Sequence, residues 1–360
     1  MRYVTEFRNK EDVKRLVAHI NKYDGPVLRF MEVCGGHTMA IQRFGIPSML
    51  PENVRLLSGP GCPVCVTSRK FIDEAIALSR RDDAIIATYG DLIRVPGSWS
   101  TLEQERGKGA DVRIVLSSLQ ALQLAVENKH KKIIFLGIGF ETTAPATAVA
   151  VQEAYQKGVS NFFVLSAHKV MPPAMESLVE GEVKLDGFLA PGHVSAVTGP
   201  SIYNKLATAY SLPVVISGFE PVDMLQSIGM LINQKQSHSP RVEIQYRRVV
   251  KPSGNVKARD MLNQVFSLEE DWWRGLGILP ESGLKLKEPY REFRAEKWLP
   301  SSMEPAKEPR DCICGKVLKG LNSPNDCKLF GKACYPGNPV GACMVSSEGA
   351  CQAYYNYGEK

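Results

Sequence analysis

The chain has 360 residues, 44% of them hydrophobic and 23% charged, which is enough for two or three domains with proper cores. Its 44 Lys and Arg against 38 Asp and Glu leave a formal charge of +6, and the basic residues are scattered among acids rather than gathered in a stripe with aromatics, which argues against nucleic-acid binding. No apolar run reaches the ~18 residues of a membrane span, and MRYVTEFRNKEDVKRL has no apolar signal-peptide core, so no membrane is expected and the expected compartment is the reducing cytoplasm.

Residues 9–22 read as a first helix. Strand candidates follow at 27–33, 54–57, 84–88, 113–116, 132–136, 161–165, 185–189 and 213–216. They are β-branched or leucine-rich and mostly lack alternation, as strands buried on both faces of a parallel sheet do. The spacers 68–81, 121–128, 143–157, 172–180, 201–210 and 222–234 are long enough for crossover helices, so the grammar is α/β. Eight such strands could close into one barrel or form two open sheets; two Rossmann-like open parallel-sheet domains, over 1–125 and 126–235, are the reading adopted. A third region, 236–360, holds a strand and turn near QYRRVV, a helix at 256–266, tryptophans that suit packing between domains, and a Pro-rich linker at 300–311. It ends in a small cysteine-rich tail that needs crosslinks to fold.

The polar motifs follow the strand candidates: CGGH, SGPGCPVC, TYGDLIRVPG, GIGFETTAP, SAHK, APGH and SGFEP. In open α/β sheets the carboxyl ends of strands carry the site, so these loops are expected to face one functional cleft. Cys34 and His37 of CGGH offer a soft ligand and an imidazole three residues apart, fit for a metal or an assisted thiolate. Cys62 and Cys65 form a C-x-x-C pair suited to a disulfide switch or to two metal ligands, and a helix beginning at Cys62 would favour its thiolate. GIGFETTAP is an imperfect dinucleotide fingerprint, with Thr142 at its third glycine position, and no P-loop is present. Glu141 and Thr142 therefore read as polar contacts in the cleft, and His168 and His193 as acid–base groups or supports for a ligand, with Asp91, Arg94 and Glu220 in equivalent places.

The tail reads C-x1-C-x12-C-x6-C-x8-C-x7-C over Cys312, Cys314, Cys327, Cys334, Cys343 and Cys351. Structural zinc sites show two close pairs, whereas this tail has one C-x-C and wide gaps. Four cluster ligands plus a two-cysteine redox pair is the economical reading; zinc and disulfides are the other two.

FMEVCGGHTMAI, SGPGCPVCVT, YGDLIRVPG, GFETTAP, APGHVSAV and ISGFEPVD, with the six-cysteine tail, resemble the HypD family of hydrogenase maturation proteins over nearly the full chain. The resemblance implies two α/β domains and a third carrying a [4Fe-4S] cluster. It implies a scaffold that builds the Fe(CN)2CO unit of [NiFe]-hydrogenases as a heterodimer with the small chaperone HypC. HypE delivers the cyanide, made from carbamoyl phosphate through HypF, in a transient ternary complex. It places the transient iron, with two CN and one CO, on Cys34, gives His37 a ligand-positioning role, and makes Cys62 and Cys65 redox-active. By order along the tail it assigns Cys312, Cys327, Cys334 and Cys343 to the cluster and Cys314 and Cys351 to a neighbouring pair. Two other functions suit the same thiols: a general thiol–disulfide reductase, and a zinc-stabilised binding module.

Overall fold

The computed structural model describes residues 5–358. Eleven strands form among them: β1 Leu28–Glu32, β2 Val54–Ser58, β3 Ala84–Thr88, β4 Val112–Ile114, β5 Lys132–Gly139, β6 Phe162–His168, β7 Gly187–Pro191, β8 Val214–Ser217, β9 Val242–Ile244, β10 Phe266–Trp273 and β11 Gly277–Leu286. The first nine build two wholly parallel sheets, in the orders β2-β1-β7-β8-β9 and β4-β3-β5-β6. Every residue of β3, β7 and β8 is buried, as the unbroken apolar runs require when helices cover both faces.

The sheets do not divide the chain at residue 125. The chain lays down β1 and β2, leaves to build all of the second sheet from β3 to β6, and returns to add β7, β8 and β9 beside β1. The pairing that brings it back sets Phe30 against Gly187 and Met31 against Phe188. The physical reason is that an apolar strand is equally content beside any other; the crossover decides. The helix Arg69–Ser79 buries Phe71, Ile72, Ala75, Ile76 and Leu78 and packs on β3, so the chain after β2 starts a new sheet.

The boundary at 236 moves as well. β9 lies beyond it yet completes the first sheet. The β10–β11 hairpin is antiparallel and leans on the second sheet, where Ser166 Oγ donates to the Leu284 carbonyl at 2.8 Å and the Val170 amide to that of Ser282 at 3.0 Å. Trp273 is wholly buried and stacks on Phe140 at 5.9 Å, while Trp298 meets Phe163 edge-on, the packing role expected of these rings. The tail adds short turns, the five-residue helix Cys314–Leu318 and the helix Ala350–Tyr357, which lies on the helix Gly35–Arg43. Its Cys343, Met344 and Val345 join one hydrophobic core with Met31, Leu136, Ala190 and Ile216, so both sheets and the tail share an interior. Among the described residues no helix is long and apolar enough to cross a membrane.

Two arginines fasten the tail and a third the C-x-x-C loop and the linker. Arg69 donates to the carbonyls of Lys307 (2.8 Å) and Val340 (3.2 Å), and Arg94 to those of Pro336 and Val345 (both 3.3 Å). Arg274, in the hairpin turn, donates to the carbonyls of Cys65 and Thr67 (both 2.9 Å) and to Glu308 (2.6 Å).

Candidate functional site

β1 ends at Glu32, and Cys34 caps the helix Gly35–Arg43 with extended backbone, φ −148° and ψ 122°. The Gly59–Gly61 turn after β2 lies directly on it: the Gly35 amide donates to the Gly61 carbonyl at 3.0 Å, and a Cβ on Gly61 would stand 2.0 Å from the Cys34 amide nitrogen. Only glycine permits this approach of two chains, and it sets Cys34 beside the C-x-x-C loop. Cys62 caps the four-residue helix Pro63–Val66, its sulfur accepting the Cys65 amide at 3.3 Å, and the Cys62 and Cys65 sulfurs are 2.6 Å apart. The expected helix start at Cys62 is present.

Burial pushes the Cys34 thiol up to about 12, helped by the Glu348 and Glu32 carboxyls and opposed by the amides of His37 and Gly36. Glu32 is itself buried; desolvation raises it to about 8 although Thr38 donates to it at 2.5 Å and the Cys34 amide at 3.1 Å. His37, wholly buried and held down at about 4 by desolvation, donates from Nε2 to the Ser217 carbonyl at 3.2 Å, which leaves Nδ1 unprotonated and without a partner. Its ring lies 4.7 Å from that of Phe219, and His193 also stacks on Phe219, at 4.0 Å. Phe219 also covers Gly36, so the ring walls the approach to Cys34.

The tail completes the site. Cys343, wholly buried, neighbours Cys314, Cys351 and Cys65, whose thiols pull its own well below the ordinary value. Burial, then Cys343 and Cys62, push Cys65 the other way. Cys314 also touches Cys312. Thus Cys62, Cys65, Cys343, Cys314 and Cys312 form one line of touching thiols. Cys334 accepts the Val340 amide at 3.4 Å, and Cys327 faces the Asp311 carbonyl at 4.0 Å. All nine cysteines are free thiols. Among the described residues no group of three or more His, Cys, Asp or Glu side chains is arranged to hold a metal ion. The donors themselves are of the right kind: six soft sulfurs, with Gly341 so close that a Cβ there would stand 2.7 Å from Cys312 Sγ and 3.1 Å from Cys314 Sγ.

The second sheet's candidates lie elsewhere. His168 is wholly buried, meets Thr147 Oγ1 at 2.9 Å, and is held at about 4 by desolvation. Glu141 accepts the Met171 amide at 3.0 Å and lines a cavity of about 740 Å³ that no cysteine lines; Thr142 beside it is half-buried. The single cleft expected from strand ends is therefore two places, with wholly buried Tyr203 between, its phenol pushed up by burial and then by both Glu141 and Cys34. Glu220 is paired with Arg8 and caps its own helix. Glu32, Phe219, Glu348, Arg69 and Arg274 were not singled out by sequence, whereas Arg94 was, as a polar group at a strand end. Glu32 alone left a signal, an acid inside the apolar run RFMEV.

The family described as HypD, hydrogenase formation hypA family, matches residues 11–358. The hydrogenase maturation factor HypD2 of Bradyrhizobium diazoefficiens is 46% identical over 99% of this chain and 97% of its own length. The hydrogenase maturation factors HypD of Azotobacter vinelandii and Escherichia coli are each 45% identical, over 100% and 99% of this chain and 98% of their own lengths. A match that spans both sheets, the thiol line and the arginine-fastened tail is a match of the whole architecture, and the chain belongs to the HypD family.

Proposed function

We propose that this chain is a hydrogenase maturation factor: the scaffold, working with HypC and HypE, on which iron receives two cyanides and one carbon monoxide. The observation that carries this reading is the contact of Cys343 with Cys65, which joins the tail thiols to the loop lying on Cys34.

Iron is the cargo. Cys34 supplies one soft thiolate and leaves positions open for the diatomic ligands. Its thiol keeps its proton in the free protein, so iron must displace that proton on binding. Phe219, with His37 and His193 against it, limits water at this mouth. A partner's thiocyanate, R–S–C≡N, is cleaved by the Cys62–Cys65 dithiol: the two thiols form a disulfide, their electron pair goes to the S–CN bond, and R–SH and HCN leave with the two protons. Cyanide then passes to the iron. Restoring the dithiol takes two electrons, which reach Cys65 along Cys314 and Cys343.

The same neighbours favour a different assignment along the tail. Cys343 is the tail thiol beside Cys65, with Cys314 and Cys351 both next to it, and Cys314 is the one that also adjoins Cys312, which favours Cys343 and Cys314 as the relay pair. Cys312, Cys327, Cys334 and Cys351 remain to hold a [4Fe-4S] cluster, which when bound would supply electrons singly. Nine free thiols suit the reducing cytoplasm.

The test is infrared spectroscopy of the anaerobic complex with HypC, made in cells with the full maturation set. Cyanide and carbonyl bands in the wild type and their loss in Cys34→Ala are expected. Bands untouched by the substitution would move the iron to other ligands.

A further inference from the structure

Cys34 is 8% exposed, yet iron that carries diatomic ligands needs open space on more than one side of the sulfur. Most of what surrounds the thiol cannot yield. The Gly61 turn meets it backbone to backbone, and a Cβ on Gly35 would stand 2.7 Å from the Glu348 carbonyl, so a second stretch of backbone closes in there. Glu32 and His37 are buried. Phe219 is different. It is half-buried, and its ring meets the sulfur over Gly36: a Cβ on Gly36 would lie 3.1 Å from Phe219 Cε1 and 3.7 Å from Cys34 Sγ. A phenylalanine ring leaves such a place by rotation about χ1, with no change of backbone.

Besides His37 and His193, Tyr246 abuts this ring, edge-on at 5.8 Å. Gly192 and Gly218 admit Tyr246, since a Cβ on either would stand 2.7 Å from it. The N-terminal turn Thr5–Arg8 is fastened to the same loop. Arg8 pairs through two nitrogens with Glu220, the residue after Phe219, Nη2 donating to Oε1 at 2.9 Å and Nε to Oε2. Its guanidinium also lies 5.6 Å from the ring of Phe44, which caps the helix that Cys34 begins. Phe7 lies 3.6 Å from the Arg248 guanidinium, which in turn lies 4.5 Å from Tyr246 and pairs with buried Asp223. One short turn thus engages the neighbour of Phe219, the far end of the Cys34 helix and, through Arg248, the ring that abuts Phe219. Arg8 is 44% exposed, and an ion pair so wet adds little to global stability, so the turn can come away while the fold stays.

We propose that Phe219 is the gate to Cys34, setting the size of group that reaches the sulfur, and that the turn Thr5–Arg8 is its latch. With the latch on, the ring stays over Gly36 and only small solutes reach the thiol. When the turn lifts, Glu220 is released, the ring swings out and the mouth admits an iron centre held on a partner. The gate's purpose rests on the reading of Cys34 as the residue that takes iron.

The test is labelling of the anaerobically purified full-length protein with iodoacetamide and with the bulkier pyrene maleimide, the initial rate at Cys34 read by peptide mass spectrometry. Both reagents consume the same thiolate, so the ratio of the bulky to the small rate reports access and not ionisation. Relative to wild type, this ratio is expected to rise at least about tenfold in Phe219→Ala, whose mouth stands open, and about twofold to fivefold in Arg8→Ala, the shift in open population that one partly exposed ion pair commands. Phe219→Tyr, which keeps the ring, is expected to match wild type. Arg8→Ala, a change at an exposed side chain, decides the matter if Phe219→Ala does not fold. An unchanged ratio in folded Phe219→Ala, or a ratio raised as far in Phe219→Tyr, would overturn the gate, and an unchanged ratio in Arg8→Ala would overturn the latch. None of these rates involves iron, so their failure is distinct from infrared bands that survive Cys34→Ala.

Discussion

Arg274 offers the sharpest test of how the tail is held. The side chain is 7% exposed and spends its nitrogens on the Cys65 and Thr67 carbonyls and on Glu308. In Arg274→Gln the shorter amide can replace at most one of these bonds. Each buried carbonyl that loses a charged donor costs ~1–3 kcal/mol. The Glu308 bond adds little, because that carboxylate is 45% exposed and screened by water. The expected loss of unfolding free energy is roughly 3 kcal/mol, which at a slope of about 3 kcal/mol/M moves the urea midpoint by about 1 M. Equilibrium unfolding under anaerobic, reducing conditions reads it directly. Arg274→Lys, a single point donor, is expected to recover less than half. A midpoint shift below about 0.3 M would show that Arg274 does not hold the C-x-x-C loop to the hairpin and linker.

In the tail, anaerobic Cys343→Ser protein is expected to keep its iron and labile sulfide while Cys351→Ser loses both; the opposite order would return Cys343 to the cluster. Gly61→Ala puts a Cβ 2.3 Å from the Cys34 Cα, where no side-chain rotation relieves it, so a loss of about 1–3 kcal/mol and faster alkylation of Cys34 are expected; unchanged alkylation would separate the turn from the site. Stability should also carry the mark of four buried groups across pH. His37 and His168, lowered to about 4 from 6.5, give stability that is lost as pH falls from 6.5 toward 4. Glu32 and Glu141, raised from 4.5 to about 8 and about 7, hold protons that the unfolded chain releases, so their contribution declines as pH rises from 4.5 through those values. The opposed slopes of these four offset between 4.5 and 6.5, and between 7 and 8 Glu32 contributes a decline of about 1.4 kcal/mol per pH unit, set against the rise that the lowered Cys343 thiol contributes. Urea midpoints in Glu32→Gln should lose that decline; if they keep it, another group is responsible.

What the sequence made legible follows from range. Strands β1 to β8 stand within a few residues of the apolar runs that announced them, since burial on both faces is written in the strand itself. Their neighbours are not. Phe30 beside Gly187 is a contact across the chain, chosen by crossover packing that no local pattern records. The same holds for the site. CGGH and GPGCPVC gave the thiols of the first sheet because the glycines that bring them together are adjacent to them. Glu141 and His168 follow strand ends by the same rule, but the rule says nothing of which sheet the strand joins, and theirs is the other one. Chain order along the tail assigned Cys343 to the cluster, and order alone carries no sign that folding sets this thiol beside Cys65.

The arginines explain why the thiol line needs so long a chain. Sulfur contacts among Cys65, Cys343 and Cys314 change whenever a thiol gains or loses a proton or a bond, so they cannot also be what fixes the distances between them. Arg69, Arg94 and Arg274 act on backbone carbonyls at Val340, Val345 and Cys65, two to three residues from Cys343 or on the dithiol residue itself. Carbonyls do not titrate, and guanidinium stays charged at every working pH. The backbone around the thiols is thus fastened by groups that are indifferent to redox state.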